Sequence, residues 1–178
     1  MTVSILMPTY NHERFIAQAI ESVLAQQTQY DFELLINDDC STDNTSRIAS
    51  EYAKKHPQRI RFFQQSKNQG FLRNYKFLFK QAHGKYIAIL ESDDVWSNPQ
   101  KIQKQISFLE DNSEYGLCAG DYLEIDENGN ITKEWKKDFD KDLNGDWYES
   151  RLLRDHIAAL TIVFRRELFD KYCNIDDF

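Results

Sequence analysis

Short apolar runs and longer amphipathic segments alternate along roughly the first 110 residues. Four runs of apolar residues are typical of buried strands. They are "VSILMP" at 3–8, "FELLI" at 32–36, "IRFFQ" at 60–64 and "KYIAIL" at 85–90. The segments that follow them have apolar residues at helical spacing and predict helices over 12–27, 41–56, 70–84 and 97–111. We expect Pro8 to end the first strand. The alternation predicts an α/β fold with a largely parallel sheet.

The pattern changes after residue 111. Residues 115–126 and 131–135 predict two strands joined by a turn at "ENGN", and residues 160–172 predict a strand that leads into a helix. We find no repeat and no low-complexity linker, so the sequence predicts one domain with a mixed sheet. Because "NIDDF" follows the last helix without a stop signal, we expect this domain to be truncated at its C-terminus.

Composition narrows the class of protein. A chain of 178 residues with 41% hydrophobic residues can bury one sizeable core. No apolar run approaches the ~20 residues that span a membrane, and the N-terminus does not resemble a signal peptide. The three cysteines are widely spaced and include no CxxC pair, which argues against a disulfide framework or a zinc site. We therefore expect a cytoplasmic protein, which could act at the inner face of the membrane.

Charge is unevenly distributed along the chain. The net charge of −7 argues against a nucleic-acid partner. From Tyr52 to Leu90, however, there is no Asp or Glu, whereas nine Lys or Arg residues occur. We expect most of these side chains to lie on solvated helix faces. A stretch without acidic residues in an acidic chain would still suit a small anionic ligand such as a phosphate.

Polar residues follow each of the four predicted parallel strands. Ligands of open α/β sheets bind at the carboxyl ends of the strands, so these residues are candidates for one site. They are Pro8 to Asn11 after the first strand, Asn37 to Asp39 after the second, Lys67, Asn68, Gly70 and Arg73 after the third, and Glu91, Asp93 and Asp94 after the fourth.

Two interpretations fit the pair Asp93 and Asp94 about equally well. Adjacent carboxylates suit Mg²⁺, which typically takes one or two protein carboxylates and completes its shell with phosphate oxygens and water. They also suit a solvated turn that caps the following helix. Three other residues also have two interpretations each. Tyr10 could stack on a base or be a partly buried aromatic, and Asp39 could accept a ring N–H or face a helix N-terminus. Arg73 could bind a phosphate or lie on an exposed helix face.

Several common site motifs are absent from the sequence. It contains no GxGxxG, no P-loop and no GxSxG, which argues against dinucleotide-binding, ATPase and hydrolase functions. The histidines His12, His56, His83 and His156 show no metal-ligand spacing.

Four segments together resemble family 2 glycosyltransferases with a GT-A fold. They are "SILMPTYNHERFIAQAIESVLAQ", "FELLINDDCSTDNT", "NQGFLRNYKFLFKQAHGKYIAILESDD" and "FRRELF". The resemblance covers essentially the whole chain and is densest through Asp94. It implies a single GT-A domain over 1–178, with a Rossmann-like, mostly parallel sheet that becomes mixed toward the C-terminus. Residues 1–94 would form the nucleotide-binding half and residues 95–178 the start of the acceptor half.

The resemblance implies a base-binding segment at the end of the first strand. In this family the matching segment holds the nucleotide base. Pro8, Thr9 and Tyr10 would therefore line the base, with Asn11 and Glu13 close by.

The resemblance also implies roles for residues at the other strand ends. Asp39 matches a position that hydrogen-bonds uracil, and Gly70 and Arg73 fall in the block along the ribose and diphosphate. Asp93 and Asp94 match the DxD-type element, with Asp93 near the ribose and Asp94 on a divalent metal, Mg or Mn. The family likeness decides our choice between the two interpretations of this pair in favour of the metal.

Glu91 stands where many members of this family carry another aspartate. Its side chain is one methylene longer, so we do not expect it to be a direct ligand and expect this position to tolerate change.

The reaction implied is the transfer of a sugar from a nucleotide-sugar donor, which we expect to be UDP-linked, to a hydroxyl of a saccharide or glycolipid acceptor. It would invert the anomeric centre and serve polysaccharide or glycoconjugate biosynthesis. The metal would stabilise the leaving diphosphate, and a carboxylate would act as general base. In the family this base follows the "FRRELF" block at a distance, so we expect it beyond Phe178, since Asp176 and Asp177 come too early. His156 is expected to border the acceptor.

Two rival functions remain open from the sequence. The first is a Mg-dependent phosphatase or phosphotransferase that uses an Asp at a strand end. The second is a module that binds a nucleotide-sugar without turnover. The sequence leaves open the donor sugar and base, the acceptor, the linkage and the oligomeric state.

Overall fold

The computed structural model describes residues 1–135 and 158–172. The predictions for His156, Asp176 and Asp177 lie outside these residues. The strands are β1 (Val3–Thr9), β2 (Phe32–Asp38), β3 (Ile60–Gln64), β4 (Tyr86–Ile89), β5 (Leu117–Cys118), β6 (Tyr122–Ile125), β7 (Ile131–Trp135) and β8 (Val163–Arg165). The helices are α1 (Ile16–Leu24), α2 (Thr45–Lys55), α3 (Phe71–Gln81), α4 (Lys101–Asp111) and α5 (Arg166–Tyr172), with a short 3₁₀ helix at Ala159–Thr161.

The main sheet has six strands in the order β3-β2-β1-β4-β8-β5. Strands β3, β2, β1 and β4 are parallel, and β8 runs antiparallel to both β4 and β5. The central strand β1 pairs with β2 and β4 at once, so that Ile5 lies opposite both Leu34 and Ala88. The predicted α/β fold, with a mostly parallel sheet that becomes mixed toward the C-terminus, is confirmed.

Helices cover both faces of this sheet. Successive residues of each strand point to opposite sides, so apolar side chains on both faces need to be buried. On one face Ile5 and Met7 of β1 pack in a core with residues of α1 and α4, including Ile20 and Ile106. On the other face Leu6 belongs to a smaller core with α3 and β4. All seven residues of β1 are buried, which explains why most of them are apolar.

Three of the differences between predicted and observed boundaries have a clear physical reason. Pro8 does not end β1, which continues to Thr9. Strand β4 pairs with β1 only as far as Leu6, so no backbone N–H is needed at position 8 on that side. Helix α2 begins at Thr45 rather than at residue 41, because residues 41–44 form loop hydrogen bonds instead. The predicted strand over 115–126 is two separate strands, β5 and β6.

Strands β6 and β7 form a hairpin apart from the main sheet. Its turn closes where Gly129 adopts a φ of +83° and the Asp126 carboxylate accepts the amides of Asn128 and Asn130. Among the helices described, none has the length and apolar character needed to cross a bilayer.

A polar cluster closes the sheet at the amino-terminal ends of its strands. The buried Glu33 carboxylate accepts hydrogen bonds from Ser4 Oγ at 2.6 Å and from the Arg61 guanidinium at 3.1 Å. Ser4 in turn accepts the Gly84 amide at 2.8 Å. A Cβ at Gly84 would lie 2.4 Å from the Ser4 nitrogen, so only glycine permits this close approach. The cluster therefore fixes where the chain enters β4.

Candidate functional site

The loops after β1, β2, β3 and β4 meet at one edge of the sheet because these strands are parallel. Backbone hydrogen bonds join the loops in pairs. The Asp39 amide donates to the Thr9 carbonyl at 2.9 Å, and the Gln65 amide donates to the Asp38 carbonyl at 2.8 Å. The predicted site residues thus belong to one continuous rim.

The segment after β1 has two buried members and one exposed aromatic. Pro8 and Thr9 are buried, whereas 42% of the Tyr10 surface is exposed. An exposed ring beside buried polar loops can offer a stacking face to a planar ligand. Tyr10 is therefore available for the role predicted for it, whereas the buried Pro8 and Thr9 expose little surface to a ligand.

Asn11 and Glu13 attach the β1 loop to the loop before α2. The Asn11 side-chain oxygen accepts the Thr42 amide at 2.8 Å, and Glu13 Oε2 accepts the Asn44 amide at 2.8 Å. Asn11 adopts a φ of +55°, in the left-handed region that Asn tolerates better than most residues. These contacts give both side chains a part in holding the loops together.

Asp39 organises the loop that precedes α3. Its two carboxylate oxygens accept the amides of Gln69 and Gly70, each at 2.8 Å, and only 3% of the residue is exposed. Gly70 has a φ of +87°, a conformation that glycine adopts without strain. The Asp39 carboxylate thus holds the turn that positions Gly70 at the start of α3.

Arg73 lies in the first turn of α3 and is exposed. Within the described ranges, no hydrogen bond or ion pair engages its guanidinium. A guanidinium in this state can bind an anion without first breaking a protein contact. The structure leaves Arg73 available for the anionic ligand that the sequence predicted.

Three carboxylates gather in the turn after β4. Single oxygen atoms of Glu91, Asp93 and Asp94 all lie within 4.8 Å of one another. Burial, together with the charges of Asp93 and Glu91, raises the pKa of Asp94 to about 6. The Asp94 amide donates to the Glu91 carbonyl at 3.0 Å, which closes the turn. The turn therefore concentrates negative charge at one point of the rim.

The three carboxylates have different neighbours. Glu91 accepts the Tyr75 hydroxyl at 2.9 Å, and burial beside Glu91 raises the pKa of the Tyr75 phenol. Asp93 is exposed and lies 3.8 Å from the Nδ1 atom of His12. Asp94 is half-buried, and no protein group in residues 1–135 or 158–172 donates a hydrogen bond to its carboxylate. Asp94 is thus the member of the cluster whose oxygens most lack a partner.

This donor set fits a hard divalent cation. Carboxylate oxygens are the ligands that Mg²⁺ and Mn²⁺ prefer, and a cation would offset the repulsion that raises the pKa of Asp94. No Lys or Arg in the described part of the chain forms an ion pair with Asp93 or Asp94. Asp94, with Asp93 beside it, could therefore hold the metal.

An apolar cleft borders the cluster on the α3 side. Its volume is about 310 Å³, and Phe71, Leu72, Phe79 and Phe169 line it together with Glu91. The Phe79 and Phe169 rings stack with their centroids 4.0 Å apart. Aromatic side chains of helices α3 and α5 thus line a cleft next to the acidic turn.

Two polar residues of the site could not be found from sequence spacing. His12 Nδ1 lies 2.7 Å from Ser92 Oγ, and Ser92 donates to Thr9 Oγ1 at 2.8 Å. Tyr75 contacts Glu91 as described above. Their partners are 80 and 16 residues away along the chain, so no local motif signals these contacts.

The sequence model of glycosyl transferase family 2 matches residues 4–173 of the chain. This chain belongs to glycosyl transferase family 2. The family resemblance seen in the four sequence segments is therefore confirmed.

Named relatives agree with the family assignment. An uncharacterised glycosyltransferase of Rickettsia felis is 36% identical over 169 residues, which cover 95% of this chain and 27% of that protein. The Bacillus subtilis protein TuaG, whose name assigns it to teichuronic acid biosynthesis as a glycosyltransferase, is 34% identical over 171 residues, covering 93% of this chain and 62% of TuaG.

Solved structures agree on the GT-A fold. Staphylococcus aureus TarS in complex with UDP-GlcNAc superposes with a TM-score of 0.73 at 22% identity, covering 96% of this chain and 47% of that one. The mannosyltransferase PcManGT of Pyrobaculum calidifontis, in complex with GDP-Man and Mn²⁺, superposes with a TM-score of 0.67 at 19% identity, covering 94% of this chain and 45% of that one. The family 2 chain described here thus spans about half the length of these structures.

Proposed function

We propose that this family 2 chain forms the donor-binding part of a glycosyltransferase. In this proposal the enzyme moves a sugar from a nucleotide-diphosphate sugar to a hydroxyl of a saccharide or glycolipid acceptor. The observation that carries the proposal is the cluster of Glu91, Asp93 and Asp94 at the carboxyl end of β4, on the same rim as Tyr10 and Arg73.

The proposed donor site combines three kinds of group along the rim. Tyr10 offers an exposed ring for the base, and Arg73 offers a cation for the diphosphate. Asp39 accepts two amide hydrogen bonds from the loop at Gly70 and so holds the start of the helix that carries Arg73. A nucleotide diphosphate has matching chemistry, since it joins a planar base to a strongly anionic end.

We propose UDP as the nucleotide. The carboxylate of Asp39 can accept one further hydrogen bond on each oxygen, because each carboxylate oxygen has two acceptor positions and one is already used. A ring N–H such as that of uracil would suit this acceptor. TarS is known in complex with UDP and with UDP-GlcNAc, whereas PcManGT is known in complex with GDP-Man.

We also propose that Asp94 binds the divalent metal, with Asp93 at the ribose side. A bound Mg²⁺ or Mn²⁺ would supply positive charge to the diphosphate as it leaves. The residues of the chain would hold that charge in place: Asp94 by ligation, and Tyr75 by fixing Glu91 at the back of the turn. Inversion at the anomeric centre belongs to the same proposal.

Calorimetric titration of UDP, GDP and ADP, each with Mn²⁺ or with EDTA, tests this proposal. We expect UDP to bind most tightly and Mn²⁺ to strengthen its binding at least tenfold in the unsubstituted protein. The Asp94→Ala variant should lose this gain while its binding in EDTA stays within about twofold. Equal UDP binding with and without Mn²⁺ would contradict the metal site, and covalent labelling by a phosphoryl donor at a strand-end Asp would favour a phosphatase instead.

A further inference from the structure

A chain of side-chain hydrogen bonds links the β1 loop to the acidic turn. His12 Nδ1 lies 2.7 Å from Ser92 Oγ, and Ser92 Oγ donates to Thr9 Oγ1 at 2.8 Å. Ser92 is fully buried and Thr9 is 2% exposed. Residue 92 lies between Glu91 and Asp93, so this buried hydroxyl anchors the turn from within.

The number of hydroxyl protons determines which atom donates to Ser92. A serine hydroxyl carries a single proton, and here that proton is donated to Thr9. The Ser92 oxygen must therefore accept from His12, which requires a proton on Nδ1. The same N–H lies 3.8 Å from an oxygen of Asp93, so the positive end of the imidazole dipole faces the carboxylates.

The backbone of His12 is itself held in place from two sides. Its amide donates to Thr45 Oγ1 at 2.8 Å, and its carbonyl accepts the amides of Phe15 and Ile16 at 3.0 Å. Thr45 is fully buried at the start of α2. The imidazole thus projects from a fixed point, and it can set the position of Ser92 rather than follow it.

We propose that His12 is a positioning residue for the acidic turn. Through Ser92 it holds the carboxylates of Asp93 and Asp94 in the arrangement that receives the divalent cation. His12 then governs metal-dependent binding of the nucleotide while contributing little to metal-free binding. This inference rests on the proposed function of the same site.

The test compares His12→Phe, His12→Asn and Ser92→Ala with the double variant of His12→Phe and Ser92→Ala. Phenylalanine keeps the ring but removes the donor at Nδ1, whereas the asparagine side-chain amide can donate from nearly the same place. His56→Phe is the matched control, because His56 is an exposed histidine after α2. Mn²⁺ affinity in the presence of UDP is measured by electron paramagnetic resonance, and UDP affinity in EDTA by calorimetry.

We expect His12→Phe and Ser92→Ala each to weaken Mn²⁺ binding by about ten- to a hundredfold, as is typical for residues that orient metal ligands. The double variant should lose no more than either single variant, because the two residues act through one hydrogen bond. His12→Asn should recover affinity to within about threefold of the unsubstituted protein. UDP binding in EDTA and the melting temperature of His12→Asn should stay unchanged.

Three results would overturn the inference. Mn²⁺ binding by His12→Phe equal to that of His56→Phe would show that the hydrogen bond does not position the turn. Equal losses of UDP affinity with Mn²⁺ and in EDTA would show a general structural role. Additive losses in the double variant would show that His12 and Ser92 act independently of each other. If the unsubstituted protein binds UDP equally with and without Mn²⁺, the proposed metal site fails and this inference fails with it; that outcome is read from the unsubstituted protein and is separate from the other results.

Discussion

Replacing Asp94 by Asn should stabilise the metal-free protein at neutral pH. The pKa of this carboxyl is raised from 3.8 to about 6 by burial and by Asp93 and Glu91. A difference of about two pKa units corresponds to about 3 kcal/mol of unfavourable free energy once the group is ionised. Because Asp94 is only half-buried, solvent screens part of this cost, and we expect a gain of about 1–3 kcal/mol in the free energy of unfolding.

The size of the effect depends on pH. Well below pH 3.8 the carboxyl is protonated in both the folded and the unfolded chain, so it contributes nothing to the difference between them. As the pH rises toward 6, the unfolded chain releases this proton first, and the folded state loses relative stability. Above pH 6 the loss is complete. Asn cannot ionise, so the advantage of Asp94→Asn should grow from a small value at pH 4 to its full value at pH 8.

Urea denaturation in EDTA, followed by circular dichroism at pH 4, 6 and 8, measures this difference. The variant Glu114→Gln, which removes an exposed carboxylate after α4, controls for the loss of one surface charge. Saturating Mn²⁺ should reverse the order at pH 8, because the cation binds the folded state of the unsubstituted protein only. A stability difference that is the same at pH 4 and pH 8, or an Asn variant that is less stable in EDTA, would refute the reasoning.

Three further predictions concern the fold and the metal. Gly84→Ala should lower the free energy of unfolding, measured by urea denaturation, by about 1–3 kcal/mol, because its Cβ would lie 2.4 Å from a main-chain nitrogen of β1. The control Gly120→Ala places its Cβ in open space and should change this free energy by less than about 0.5 kcal/mol. Glu33→Ala should cost about 1–3 kcal/mol in the same assay, because the Arg61 guanidinium loses its carboxylate while it keeps a hydrogen bond to the Gln81 carbonyl, and an unchanged midpoint would contradict this. Mn²⁺ affinity should fall about tenfold per pH unit below pH 6, because protons compete for Asp94, and a calorimetric series with equal affinity at pH 5 and pH 7 would disprove this competition.

Local sequence pattern was enough to predict the elements of the nucleotide-binding half. Buried strands such as β1 and β2 are mostly apolar at their centres, and α1 and α3 have a clear helical period. The position of β8 between β4 and β5 was not predictable in this way. Those strands contain only two to four residues, and their pairing depends on contacts between distant segments.

The same distinction applies to the candidate site. Glu91, Asp93 and Asp94 were recognisable because they follow an apolar strand directly. The contact between His12 and Ser92 joins residues 80 positions apart, so spacing could not reveal it. Spacing likewise could not reveal that the Asp39 carboxylate accepts two amides from a loop 30 and 31 residues further along. Polar contacts between loops are set by how the strands align, which a single sequence does not express.

Strand β4 is an edge of the sheet until β8 pairs with it during folding. Its partner Arg165 is 79 residues further along the chain than Tyr86, so β8 must close a long loop before it can pair, and such contacts form slowly. In the meantime β4 presents an apolar run with unpaired backbone groups, which is a template for pairing with another chain. Arg165 then fixes the late strand by donating to the Tyr86 hydroxyl at 3.0 Å and to the Tyr115 carbonyl at 2.9 Å. The buried Arg165 thus anchors a strand that covers one side of β4, which could otherwise pair with another chain.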